Sequence, residues 1–464
     1  MLFSSPVFFV FFAAYFIAHL LLPRQWRLVL IIGGSTIFYA WWKVEYVWLP
    51  YLLMAIAYFG AIWMQRAKQE ASRRWRAGLA IALLFLPLAI FKYTNFFYND
   101  VFGAITGGGK LLDLTLPLGV SFVTFTLTAY VVDIYRGKFT GQTRPLTVLA
   151  YVLFFPHLIA GPILRPIELI PQLEHPRRKK SLLPTAAVAL FTIGLVKKLV
   201  VADTLAGLVD TIYGQSGTPT APAALFAIYG FSAQIYCDFS GYTDMAIALG
   251  MLLGIRLPNN FLQPYCAGSI IDFWRRWHIT LSFWLRDYLY IPLGGNRGGR
   301  FNEIRNIMIT MTLGGLWHGA SWTFVIWGIL HGLAVSAVHT AREVLHWTWL
   351  SRMPRWVGVL LTFHFVTVAW VFFRAPSLGR AAAVLSGVAV GGWAGTLGYL
   401  STHVFEILLI VVFITLHKYD DHRRIRIGAA RLRPEILWPS LVALWVIAIT
   451  VSQGSSAKFI YFDF

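Results

Sequence analysis

Charge is scarce in this chain. Only 13% of its 464 residues are Asp, Glu, Lys or Arg, about half the ~25% of an ordinary soluble domain. Cysteine is nearly absent. The two present, Cys237 and Cys266, have neither metal-ligand nor redox spacing, so a disulfide framework and a thiolate zinc site have no support. No two histidines stand four apart, which removes the helical metal pair, and neither a glycine-rich phosphate loop nor a Gly-x-Ser-x-Gly elbow occurs. No metal is expected. Internal repeats and low-complexity segments are also lacking.

What the chain has instead is hydrocarbon. Hydrophobic residues make up 58% of it and the mean hydropathy is +0.64. Apolar runs long enough to cross a bilayer, about 20 residues as helix, recur from one end to the other. These runs imply an all-α, polytopic integral membrane protein, with residues 1–464 forming a single membrane-embedded domain. The opening run, Val7 to Leu22, follows no basic residue and precedes no small-residue cleavage site, so it reads as a retained first span. Lys and Arg exceed Asp and Glu by 39 to 20, a net charge of +19. In a soluble protein that excess suggests nucleic acid. Here the basic residues gather in short loops between apolar runs, as the positive-inside rule requires, where they also meet anionic lipid heads. No nucleic-acid partner is expected.

The basic turn Pro23–Arg27, the neutral one near Lys43–Glu45 and the strongly basic Arg66–Arg76 alternate in a way that places the N-terminus outside. Spans at Ala77–Phe97 and Leu116–Ile134 would enclose an outer loop, Asn99–Asp113. Basic loops at Arg136–Arg144, Arg177–Lys180 and Lys418–Arg433 read as cytoplasmic, and a last span, Leu437–Val451, leaves the C-terminus outside. Phe154–Pro162 is apolar but carries two prolines and a glycine. Non-helical backbone at that depth must be buried in protein or line a cavity.

The first candidate for chemistry is Gly314-Gly315-Leu316-Trp317-His318-Gly319. An imidazole in an apolar, aromatic-walled segment loses hydration and stays neutral, ready to accept a proton from a hydroxyl. The adjacent glycines admit a thin substrate or a second helix close to the backbone. From the residues alone, a core histidine bonded to a neighbouring helix explains the pattern equally well. His331, thirteen residues on, falls about 220° round a continuous helix, so it shares no face with His318 unless the chain breaks between them.

A second candidate is Asp272 to Asp287. On a continuous helix Arg275, His278, Ser282 and Arg286 form one polar stripe opposite Phe273, Trp277, Leu281 and Trp284. Such a helix could lie in the membrane interface on snorkelling arginines. Alternatively it walls an internal funnel, with His278 a second polar site residue and Arg275, Arg286 and Ser282 meeting the phosphates of an acyl-carrying donor. Asp238 and Asp244 interrupt another apolar run and stand six apart, with a Ser-Gly between them that reads as a helix break. Structural pairing with basic side chains or backbone donors is the simpler explanation for them.

Taken together and in order, several segments resemble the membrane-bound O-acyltransferase family, in particular its alginate O-acetylation branch. They are Leu116–Phe122 through Asp133–Gly137; Leu158–Pro162; Tyr236–Met245; Asp272–Ser282 with Asp287–Gly295; Trp317–Gly319; and Phe372–Ala375. The chain departs from that branch at Thr126 and His157, where Gln is frequent. The resemblance implies about 11–14 transmembrane or re-entrant helices in a ring around a central funnel, with His318 as the essential histidine and His278 as a second important position. It also implies transfer of a short acyl group, acetyl from acetyl-CoA, across the bacterial inner membrane to O-acetylate an exopolysaccharide such as alginate or cellulose. The partners implied are a periplasmic SGNH-type acyltransferase or other acyl acceptor protein, and a polysaccharide synthase or secretion complex. A proton-coupled transporter or polysaccharide translocator would also explain buried His, Asp and Arg residues. Such proteins often carry paired halves with interrupted helices, which this sequence lacks.

Overall fold

The structure, a computed structural model, describes all residues except 99–113, 141–142, 176–183, 344–352, 454–456, 458 and 461–464. The loops expected at Asn99–Asp113 and Arg177–Lys180 lie outside the described residues. Every regular element among the described residues is a helix. Among the described residues six helices are long and apolar enough to cross a membrane: Val44–Gln65, Glu70–Tyr93, Pro184–Gly214, Trp322–Ala341, Arg355–Arg374 and Pro434–Ser452. A seventh candidate is the pair Thr396–Thr402 and Val404–Tyr419, bent by 80°, and shorter apolar helices include Pro6–Leu21, Val120–Tyr135 and Leu378–Val390. The protein is therefore an all-α, multi-pass membrane protein.

The chain groups into two compact units, Met1–Val188 with Met245–Pro258, and Ala189–Asp244 with Asn259–Phe464. In the first, Pro6–Leu21 begins with Pro6 in its first turn and the Ser5 hydroxyl accepting the Phe8 amide at 3.3 Å, a standard way to satisfy an orphan donor. The expectation for Phe154–Pro162 holds. Helix Pro145–Leu153 stops at Phe154, a single turn covers Phe155–Leu158, and every residue from 154 to 164 is buried. Its freed backbone groups find protein partners: the Phe155 amide donates to Ser35 Oγ at 3.1 Å, and the Tyr151 hydroxyl donates to the Leu164 carbonyl at 2.8 Å.

The expected break at Ser240-Gly241 does not occur. Ala221–Leu252 is one helix of 32 residues. Gly241 serves packing: a Cβ there would stand 2.6 Å from the Gly194 carbonyl oxygen of the neighbouring helix. Asp238 and Asp244 are paired, as expected, but with lysines. Lys198 Nζ lies 2.8 Å from Asp238 and 2.7 Å from Asp203, and Lys197 Nζ lies 2.7 Å from Asp244 and 2.6 Å from Asp420. His422 also closes on Asp244, the Tyr236 hydroxyl donates to Asp420 at 2.7 Å, and the Ile460 amide donates to Asp238 at 2.7 Å. The two lysines sit in a π-helical turn, Lys197–Ala202. Buried charge is thus matched inside the protein, the condition for tolerating it at all.

Candidate functional site

The segment from Asp272 to Asp287 is not one helix. Ile270–Trp274 ends after a single turn, His278 takes a left-handed conformation at φ 41°, Ile279–Leu285 restarts the helix, and Arg286–Tyr290 widens into a π turn. The polar stripe drawn on a continuous wheel is therefore dissolved. His278 is fully buried, whereas Arg275 and Arg286 are exposed and Ser282 is half-buried. The Ser282 hydroxyl donates to the Trp277 carbonyl at 3.2 Å, and Arg286 pairs with its neighbour Asp287 at 2.6 Å.

Asn260 holds the His278 turn in place. Its side-chain oxygen accepts from His278 Nδ1 at 3.2 Å, from the Thr280 amide at 3.2 Å and from the Thr280 hydroxyl at 2.9 Å. With Nδ1 protonated, Nε2 carries the lone pair. Phe239 packs edge-on against the imidazole at 4.7 Å, and Trp317 lies 6.2 Å away. Burial holds the His278 pKa well below its ordinary value, because the charged form loses its hydration. The sequence offered no sign of Asn260, which sits eighteen residues upstream in a Pro-Asn-Asn run that reads as a turn.

His318 is the last residue of helix Arg300–His318 and is buried. The rings of Trp317, Trp327 and Phe373 surround it at 4.9, 5.2 and 5.2 Å. It borders a narrow, mostly apolar cavity together with Trp274, Leu281, Leu285, Gly314 and Trp327. Segments before and after His278 thus reach the cavity that His318 faces. Of the two roles open to the glycines, helix packing is the one observed. A Cβ on Gly315 would meet the Phe324 carbonyl oxygen at 2.3 Å, and one on Gly328 the Met311 carbonyl oxygen at 2.5 Å, so the two helices touch backbone to backbone.

The placement of His331 on a remote face is corrected. Gly319–Ser321 interrupts the helix before Trp322 begins the next one. His331, fully buried, then packs against Trp327 at 4.6 Å and Trp274 at 5.2 Å. Trp327 contacts both histidines. The signal for this was in the sequence, because Gly319 is a poor helix residue, but its consequence depended on how the second helix returns.

A buried imidazole in such a setting can accept a proton from a hydroxyl. Similarity to known proteins identifies the family. The model of the membrane-bound O-acyltransferase family matches residues 142–378, which include both His278 and His318. The probable alginate O-acetylase AlgI of Pseudomonas aeruginosa is 41% identical over 390 residues, covering 82% of this chain and 73% of that protein. The peptidoglycan O-acetyltransferase of Helicobacter pylori is 38% identical over 449 residues, covering 88% and 83%. More distantly, the teichoic acid D-alanyltransferase of Bacillus subtilis is 28% identical over 275 residues, covering 55% and 68%. The chain, a multi-pass acyltransferase that works from an acyl donor, belongs to the membrane-bound O-acyltransferase family.

Proposed function

We propose that this acyltransferase moves an acetyl group from acetyl-CoA in the cytoplasm, across the bacterial inner membrane, for O-acetylation of an exopolysaccharide such as alginate or cellulose. A periplasmic SGNH-type acyltransferase or acyl acceptor protein receives the group, alongside a polysaccharide synthase or secretion complex. The acetyl group follows the alginate O-acetylase and peptidoglycan O-acetyltransferase relatives, and the exopolysaccharide follows the alginate one. The observation that carries the reading is His318, buried at the end of its helix among the rings of Trp317, Trp327 and Phe373 and bordering an apolar cleft.

In the proposed step His318 takes the proton of the attacking hydroxyl. The ester C–O bond forms, the thioester C–S bond breaks, and the proton leaves with the thiolate. A route in which the imidazole carries the acetyl group first uses the same residue. His278, held by Asn260, is the second catalytic-site residue in this reading. Arg275 and Arg286, both exposed, meet the donor phosphates, with Ser282 beside them.

Inverted membrane vesicles, with the cytoplasmic face outward, test the direction. Labelled acetyl-CoA added outside should acetylate acceptor enclosed within. Labelling only when donor is trapped inside would contradict the proposal.

A further inference from the structure

Helices Pro6–Leu21 and Arg27–Ala40 are joined by the short turn Leu22–Trp26 and leave an open apolar groove of about 470 Å³ between them. Its lining includes Phe11, Tyr15, Leu22, Trp26, Gly33 and Ile37. Along the first helix it runs from Phe11 to Leu22, about 16 Å at ~1.5 Å per residue. That is roughly half of a ~30 Å hydrocarbon core, the depth of one leaflet.

At the Leu22 and Trp26 end of the groove the chain carries two arginines, Arg24 and Arg27, on either side of Trp26 in sequence. The first acidic residue of the sequence is Glu45, so Met1–Val44 holds Arg24, Arg27 and Lys43 with no carboxylate. Neither arginine pairs with a carboxylate among the described residues, and Arg27 Nε is buried there without a partner. Within the groove Tyr15 is only 4% exposed, and its hydroxyl also has no partner among them. A channel one leaflet deep and apolar along its length, with two arginines in the turn that closes its Trp26 end, matches a lipid with an anionic head. A second helix, about 10 Å across, would cover the apolar walls but leave the two guanidinium groups unanswered.

We infer that this groove is a binding site for an anionic phospholipid. One acyl chain lies along Phe11, Tyr15 and Gly33, and the phosphate is held by Arg24 and Arg27. The groove shares no lining residue with the cavity at His318, and the inference does not depend on the acetyl-transfer reading.

Gly33 supplies a clean probe. A Cβ there meets nothing within 4 Å, so Gly33→Phe fills the groove without disturbing the helix pair. The full-length protein, delipidated in detergent, is titrated with phosphatidylglycerol or phosphatidylcholine of identical chains and read by native mass spectrometry. Phosphatidylglycerol should be retained at one per protein, with roughly thirtyfold preference for two arginine contacts. Arg24→Gln with Arg27→Gln should reduce that preference to near parity, and Gly33→Phe should remove both lipids while the melting temperature stays close to the parent's. Inorganic phosphate should not displace the lipid. Equal retention of the two lipids by the parent, a preference untouched by the arginine substitutions, or displacement by phosphate would each overturn the inference.

Discussion

Asn260 Oδ1 accepts from both His278 Nδ1 and the Thr280 amide, each at 3.2 Å, and so fixes an imidazole whose own backbone is left-handed. This conformation costs most residues about 1–2 kcal/mol, with Asn, Asp and His tolerated better and Gly best. Chemistry and backbone at position 278 are therefore separable. His278→Asn should keep the parent's thermal stability, because Asn accepts the left-handed turn. His278→Ala should lose roughly 1–2 kcal/mol more. Asn260→Ala strips the acceptor from three buried donors and should destabilise by about 1–3 kcal/mol or more. Thermal unfolding of the three variants in one detergent checks the order. If the Ala variant at 278 is as stable as the Asn variant, the turn is not held as described.

The contact between Gly315 and Gly328 predicts a sharp asymmetry among glycines. Gly315→Ala and Gly328→Ala each drive a methyl into a neighbouring carbonyl oxygen and should cost about 1–3 kcal/mol, as overpacking generally does. Gly78, inside helix Glu70–Leu88, has open space at its Cβ. Gly78→Ala should be neutral or stabilising by up to about 1 kcal/mol. Equal melting temperatures for all three variants would show that the two helices do not meet through their glycines.

The helices themselves were readable because apolar run length is set by the membrane, not by distant partners. The runs expected at Val7–Leu22 and Leu437–Val451 became the helices Pro6–Leu21 and Pro434–Ser452. Other features depended on partners far along the chain. Ser240-Gly241 looks like a break by local propensity, yet Gly241 is there for contact with Gly194. The turn at His278 is made by a non-glycine residue and held by Asn260, and no periodicity in residues 270–290 announces it. His318 was legible from its aromatic and glycine surroundings, while its company with Trp327 and His331 came only from the chain reversal at Gly319–Ser321. Nothing local tied Lys197 and Lys198 to Asp244 and Asp238, which stand forty or more residues along the chain.

Lys197 joins Asp244 and Asp420, and its side chain is only 13% exposed. Removing the cation alone leaves two carboxylates facing each other in a buried site. Lys197→Met should therefore destabilise by about 3–5 kcal/mol, enough to lower membrane abundance. Adding Asp244→Asn and Asp420→Asn should recover a large part of that loss. Abundance and melting temperature of the single and triple variants decide it. If the triple variant is no better than the single, lost packing and not unpaired charge explains the defect.

The basic segments Arg66–Arg76 and Lys418–Arg433 should both face the cytoplasm. Cys237 is buried and Cys266 half-buried, so replacing Cys266 with Ser gives a quiet background. Cysteines introduced at the exposed Lys68 and Arg424 should then resist a membrane-impermeant thiol reagent in intact cells and react after permeabilisation. Labelling of either in intact cells would reverse the orientation.

Removing the two arginines proposed to meet the donor phosphates separates binding from chemistry. Arg275→Gln and Arg286→Gln should raise the acetyl-CoA concentration needed for half-maximal transfer, with a smaller effect on the maximal rate. Arg275, exposed and without a carboxylate partner among the described residues, should show the larger shift. Titrating the donor in inverted vesicles measures both quantities. An unchanged donor dependence would favour a helix that merely lies in the interface.

His318 carries the central claim. A general base contributes about 10²–10⁴-fold, so His318→Ala and His318→Gln should nearly abolish acetyl transfer. His331 packs on Trp327 beside it and is unsuitable as a remote control, whereas exposed His364, bonded to the Leu360 carbonyl at 2.7 Å, is suitable. The decisive measurement is the acetyl ester content of the polymer, normalised to membrane abundance and accompanied by the melting temperature of each purified variant. Folded His318 variants should fall at least about 100-fold below the parent, with His364→Ala unchanged. If folded His318→Gln still acetylates within a few-fold of the parent, the imidazole is structural and the proposed chemistry is wrong.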